Sequence, residues 1–308
     1  MIRSSIATVL KGSPAFVPRL VRCSHSHSHS AGPTSSSDDE LQHFNELAKS
    51  WWDVAGPQRI LHKMNLLRMD FIQETLRNHV PIPEESDVFV PGFSLDLLPK
   101  EISSQVVTEQ EVFRDTHLRS QKLKAMDIGC GGGILTESLA RLPFVESVKG
   151  IDLAPGVLEA ANAHKALDPM VDSKITYKLQ PVEQEQEQYD IVTMMEMLEH
   201  VDYPAEVLSA ALQRVKPGGW LFLSTINRDL ISYFTTILVA EHLIRIVPVG
   251  THSYEKYINA SELVEWVKQR PGYEVVGVKG CMYLPFKGWV FCGDGNTGNY
   301  VAAVRRSA

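Results

Sequence analysis

Cysteine is scarce in this chain, and the little there is excludes two architectures. Cys23, Cys130, Cys281 and Cys292 show no CxxC spacing, so neither a thiolate metal knuckle nor a disulfide framework is encoded. Reduced thiols in a reducing compartment fit this usage. The N-terminus lacks an unbroken apolar stretch. Lys11, Pro14, Pro18 and Arg19 interrupt every candidate for the roughly 7 to 15 apolar residues of a secretory signal. The first 37 residues also lack Asp and Glu altogether, while carrying Arg3, Lys11, Arg19, Arg22 and many serines. That is the composition of a mitochondrial targeting peptide, so residues 1–37 are expected to be removed or disordered and the protein to reach the matrix. Positive charge is in short supply in what remains. With those four set aside, 26 of the 30 basic residues face 37 acidic ones, a net charge of about −11, which makes nucleic acid an unsuitable partner.

Two biased stretches carry little function on this reading. The Ser-His alternation at residues 24–30 lies inside the targeting segment, and the Glu-Gln alternation at 183–188 offers no apolar face and reads as a solvated loop or helix end.

What is present suits one catalytic domain, since 308 residues that are 44% hydrophobic can bury a full core. Leu41, Phe44, Leu47, Ala48, Trp51 and Trp52 recur at helical spacing, as do Ile60, Leu61, Met64, Leu67, Phe71, Ile72 and Leu76. Two N-terminal helices are therefore expected within 38–121. Residues 80–109, with four prolines and weak periodicity, read as a surface insertion between them and the core. From residue 122 to the end, short apolar runs at 123–128, 147–151, 175–178, 190–194 and 220–225 alternate with helical patterns at 134–142, 157–167 and 205–215. Such alternation predicts a doubly wound α/β domain with parallel strands and right-handed crossovers. Two final runs, 274–280 and 300–305, have no helical pattern between them and are expected to pair antiparallel at one edge.

The first strand runs into Asp127-Ile128-Gly129-Cys130-Gly131-Gly132-Gly133. A nicotinamide fingerprint requires a third glycine where Ile134 stands, so the dinucleotide reading fails on its own spacing. An acid followed by GxGxG at the end of strand one suits S-adenosylmethionine instead, with Asp127 and the amides at Gly129 and Gly131 facing its amino-acid part. Asp152, 23 residues past Gly129, is placed to accept from both ribose hydroxyls. A glycine-rich turn with a capping acid is the plainer alternative for the loop alone. Together with Asp152 and the Lys216-Pro217-Gly218-Gly219 turn, the loop points to a methyltransferase.

After the fourth strand come Glu196, Glu199 and His200, at i, i+3 and i+4, a spacing that one helical turn would bring to one face. Two readings stand: a divalent cation site for Mg²⁺, or an acid-rich helix start that complements the helix dipole.

Ser50-Trp51-Trp52-Asp53, the run from His62 to Arg68, the glycine loop, Met195-Glu196-Met197-Leu198-Glu199-His200-Val201, Lys216-Pro217-Gly218-Gly219, Ser224-Thr225-Ile226-Asn227-Arg228 and Val247-Pro248-Val249-Gly250-Thr251-His252 together resemble the ubiquinone biosynthesis O-methyltransferases. The resemblance covers nearly everything from Leu41 onward. It implies a class I fold, a Rossmann-like seven-stranded sheet with an antiparallel edge strand. It also implies methyl transfer to a ring hydroxyl of 3,4-dihydroxy-5-polyprenylbenzoate and of demethylubiquinol. By position it implies contacts to S-adenosylmethionine from Arg68, Gly129, Asp152 and Met195, and Mg²⁺ held by Glu196, Glu199 and His200. The expected chemistry is ionisation of a phenol in line with a sulfonium methyl, helped either by the cation or by His200 as general base, with Glu199 beside it. A polyprenyl tail further implies a peripheral position on the matrix side of the inner mitochondrial membrane and partners among other ubiquinone biosynthesis proteins. Residues 231–240, apolar but too short to span a bilayer, read either as an interfacial helix or as buried core. A different class of function, a catalytically silent scaffold, is disfavoured by the intact set of acids and His200.

Overall fold

The computed structural model describes residues 38–308 apart from 57, 91–93, 230–231, 233–253, 285–286 and 294. The expected targeting segment with its Ser-His run, the interfacial stretch apart from Ser232, and the 247–252 motif lie outside the described residues. Helices α1 (Asp38–Leu47), α2 (Arg59–Asn78) and α3 (Lys100–Ser120) precede β1 (Leu123–Ile128). Then follow α4 (Ile134–Ala140), β2 (Val145–Asp152), α5 (Pro155–Lys165), the short α6 (Pro169–Asp172), β3 (Ile175–Leu179), β4 (Tyr189–Met195), α7 (Pro204–Gln213), β5 (Val215–Ile226), α8 (Ala260–Lys268), β6 (Tyr273–Leu284), β7 (Gly288–Cys292) and β8 (Asn299–Arg306).

The strands form one sheet in the order β3-β2-β1-β4-β5-β8-β6-β7. β3 to β5 are parallel, and β8, β6 and β7 are antiparallel additions. The five parallel strands lie where the apolar runs place them, and β6 pairs with β8 antiparallel as expected. The sheet gains an eighth strand, β7, as the hairpin partner of β6. The order in which strands are added reverses between β1 and β4, the point outside which open α/β sheets bind ligands.

Alternation along each strand divides the core in two. Ala125, Ile191, Trp220, Phe222, Val301 and Ala303 face α2 and α4, while Met126, Val192, Leu221, Leu223, Tyr300 and Ala302 face α7 and α8. A third cluster packs Leu41, Phe44 and Leu47 of α1, with Ala48 and Trp51 just after it, against Ala154 and Val157 at the start of α5.

Two local expectations are corrected. Part of the 80–109 segment is helix α3, whose single buried residue is Leu118. With Ile102 and Val112 left exposed, α3 has almost no apolar stripe to betray it. The Glu-Gln stretch is not solvated throughout. Glu185 is buried and accepts from the Lys149 ammonium at 3.0 Å, from Gln180 at 2.9 Å and from the amides of Gln186 and Glu187. Those hydrogen bonds and the Lys149 charge outweigh burial and hold its carboxyl below the usual range.

Candidate active site

A cleft of about 1240 Å³, its open mouth included, lies at the carboxyl ends of β1, β2 and β4. It is lined by Arg68, Asp127, Gly129, Gly131, Asp152, Met195, Glu196 and His200, so eight of the nine sequence-derived site residues meet in one place. Glu199 is buried behind them.

The glycine loop has the conformation that only glycine takes readily: Gly129, Gly131 and Gly133 stand at φ +67°, +51° and +90°. Close approach matters as much as dihedral freedom. A Cβ on Gly131 would fall 2.4 Å from the Trp51 ring. Trp52 donates its indole N–H to the Gly132 carbonyl at 2.8 Å and stacks on His164 with ring centroids 3.3 Å apart. The tryptophan pair is thus the cover of the loop.

Asp152 accepts from the backbone N–H of Gly131 at 2.8 Å and from those of Leu153 and Ala154 at 2.7 and 2.9 Å. It therefore ties the first loop to the second. Burial raises its proton affinity against those three amides. Asp127 is buried with both oxygens engaged, by Thr136 and Thr193, each at 2.7 Å. Burial pushes its carboxyl up to about 6, with the two hydroxyls and the Arg68 charge pulling the other way. Asp127 thus faces the cleft as a charge whose direct contacts are with the protein.

Arg68 reaches the cleft from α2, buried, its guanidinium 3.7 Å from Glu196 and its Nε without a hydrogen-bond partner among the described residues. A buried fork with spare donors suits a carboxylate.

The acid segment departs from expectation. Glu196, Glu199 and His200 do not share one turn of α-helix. Glu196 sits at φ +50°, and only Leu198–His200 forms a single 3₁₀ turn. Glu196 leaves β4 still bonded to β5, its amide donating to the Ser224 carbonyl at 3.1 Å. Its carboxylate accepts from Ser224 Oγ at 2.7 Å and Asn299 Nδ2 at 3.1 Å. Glu199 accepts from Thr225 Oγ1 at 2.7 Å. Burial, reinforced by the Glu196 charge, pushes the Glu199 carboxyl up to about 7. Among the described residues, no group of three or more His, Cys, Asp or Glu side chains is placed to hold a metal ion. A ready-made Glu196-Glu199-His200 metal cluster is therefore absent among the described residues, and the two carboxylates are bonded to different neighbours, Glu196 to Ser224 and Asn299 and Glu199 to Thr225.

Sequence reasoning missed several walls of the cleft. Phe44 of α1 lines it and meets the His200 ring edge-on at 5.3 Å. Gln180, Val182 and Met197 complete it. The α1 stripe marked Phe44 as buried but not which loop it would cover. Gln180 and Val182 follow β3 with only the intervening Pro181 as a turn signal.

Residues 105–278 match the family model described as a methyltransferase domain. The chain is 55% identical over 283 residues to the mitochondrial ubiquinone biosynthesis O-methyltransferase of Candida albicans, covering 89% of this chain and 86% of that one. Identity to the Saccharomyces cerevisiae enzyme of the same name is 47% over 278 residues, 89% of each chain. A bacterial enzyme named ubiquinone biosynthesis O-methyltransferase, from Colwellia psychrerythraea, is 35% identical and is covered over 99% of its length.

Proposed function

The chain belongs to the ubiquinone biosynthesis O-methyltransferases, and from that premise we propose that it moves the methyl group of S-adenosylmethionine to a ring hydroxyl of 3,4-dihydroxy-5-polyprenylbenzoate and of demethylubiquinol. The observation that carries this reading is the single cleft joining Arg68, the glycine loop and Asp152 to Glu196 and His200.

In this reading Arg68 receives the donor's carboxylate, Asp127 offers a negative field to its ammonium, and Asp152 stiffens the loop that seats it. The acceptor oxygen attacks the methyl carbon, the C–S bond breaks, and sulfur keeps the bonding pair as a neutral thioether. The hydroxyl proton must leave, because a phenol with a pKa of about 10 is mostly protonated at neutral pH. His200, lining the cleft, takes that proton in one reading. Glu199 is the buried acid beside it.

Magnesium is the finer expectation. Two carboxylates and an imidazole suit a hard cation by donor type, and a cation would offset the charge that Glu196 sets against Glu199. When bound, by Glu196, Glu199 and His200, it would stabilise the ring oxyanion. Ser224, Asn299 and Thr225 take only some of the carboxylate lone pairs, as outer-shell donors to metal ligands also do, so the cation and His200 as base are both carried to the test.

Transfer from labelled S-adenosylmethionine to a short-chain polyprenyl dihydroxybenzoate, with Mg²⁺ and with EDTA, tests all of this. Product confirms the function, its loss in EDTA selects the cation, and product that survives EDTA selects His200. No product despite cofactor binding overturns the acceptor assignment.

The relatives' names support a mitochondrial location. Residence on the matrix face of the inner membrane, with other ubiquinone biosynthesis proteins as partners, extends that reading. Among the described residues no helix is long and apolar enough to cross a membrane, and a polyprenyl substrate would be met at the bilayer surface.

A further inference from the structure

Ser224 and Thr225 lie just before Ile226 at the end of β5, and Asn299 opens its antiparallel neighbour β8, with Thr225 paired to Tyr300 and Ile226 to Asn299. Side chains alternate across a strand. Ser224 continues the face of Phe222, and Asn299 that of Val301, both towards α2. Thr225 continues the face of Leu223, towards α7 and α8, as does its cross-strand mate Tyr300. The two carboxylates are sorted by the same alternation. Ser224 and Asn299 hold Glu196 on the α2 side, where Arg68 stands at 3.7 Å. Thr225 holds Glu199 on the other side. His200 follows Glu199 directly and lines the cleft, so its position depends on where Glu199 is anchored.

We propose that Ser224, Thr225 and Asn299 are positioning residues, a clamp that anchors Glu196 and Glu199 on opposite faces of the sheet and thereby aims the segment carrying His200 at the methyl acceptor. The proposal rests on the reading above that this segment serves the acceptor. None of the three clamp residues lines the cleft, so their effect is transmitted through the acids. Thr225 Oγ1 is a donor to a fully buried carboxyl, and replacing it with a methyl leaves that carboxyl to find another partner by moving.

The test compares Thr225→Val, Thr225→Ser and Asn299→Ala with the wild-type protein, alongside Glu196→Gln and Glu199→Gln. The readouts are kcat, acceptor KM, calorimetric affinity for S-adenosylmethionine, and thermal midpoint. Loss of one hydrogen bond to a charged or buried acid corresponds to about a tenfold fall in kcat for Thr225→Val. Cofactor affinity should stay within about twofold, and Thr225→Ser should recover most of the rate. Asn299→Ala, at a half-buried site, gives the same split where Thr225→Val fails to fold. Wild-type kcat in both clamp variants, with Glu196→Gln and Glu199→Gln impaired, overturns the clamp alone. Wild-type kcat in the two glutamine variants overturns the reading of the acid segment itself. Parallel loss of cofactor affinity, thermal midpoint and rate would reduce the three residues to a structural role and also overturn the proposal.

Discussion

Two loops leave the carboxyl ends of adjacent parallel strands and meet at one cleft, yet they are built on opposite logic. The loop after β1 is made of backbone: glycines at positive φ, an indole pressed against them, and the Gly131 amide held by Asp152. The loop after β4 is made of side chains, two carboxylates and an imidazole whose positions are set by hydroxyl and amide donors on β5 and β8. A backbone site tolerates no added atom. A side-chain site tolerates small changes, and its geometry is decided by neighbours distant in sequence.

The comparison can be broken most forcefully at Gly131. Gly131→Val puts a branched side chain at φ +51° and against the Trp51 ring, and is expected to abolish measurable cofactor binding by calorimetry while the sheet still forms by circular dichroism. Retained binding would show that the loop and its tryptophan cover can yield.

Arg68 touches both regions, facing the glycine-loop end of the cleft and standing beside Glu196. Arg68→Met should weaken S-adenosylmethionine by about 10- to 100-fold, the worth of charge-assisted hydrogen bonds, with a smaller change in kcat. A larger loss in kcat than in affinity would assign Arg68 to the acid segment.

The smallest effect sharpens the electrostatics. Burial, opposed by Thr136, Thr193 and Arg68, leaves Asp127 titrating at about 6 against 3.8 when unperturbed. A carboxyl raised in the folded state stabilises the free protein below its unfolded pKa. That contribution falls away as pH rises from 3.8 through about 6, and less than about 1 kcal/mol of the loss lies between pH 5.5 and 7.5. A bound cationic donor prefers the ionised acid, so cofactor affinity should climb severalfold between pH 5.5 and 7.5. Asp127→Asn should flatten both profiles. Calorimetry and thermal melts at the two pH values measure this, and identical slopes in the two proteins would remove Asp127 from the cofactor field.

Legibility followed the same division. Local pattern placed β1 to β5 and the glycine loop, because central strands such as β4 and β5, buried on both faces, are apolar runs, β3 at the edge is a short alternating one, and a tight turn needs glycine. Asp152 was found by its distance from the loop, but its partners in the fold are three backbone amides. The acid segment was misread because the i, i+3, i+4 rule presumes a helix, and Glu196 at φ +50° interrupts one. Helix α3 escaped because a helix with one buried residue carries almost no stripe. The buried Glu185 escaped because its partner Lys149 is 36 residues away.

By itself the sequence determined the element order, the glycine loop and the chemical types that converge after β1, β2 and β4, since each is written in short-range period and composition. Only the tertiary structure decided that Trp51 covers the loop, that Asp127 is held by two threonines, and that Glu196 and Glu199 part to opposite faces of the sheet. The physical reason is that most of these contacts join residues dozens of positions apart, and even Thr136, nine positions from Asp127, lies across the glycine loop on another element. Which donor a buried carboxylate finds is settled by packing and strand register, and neither is encoded within any one segment.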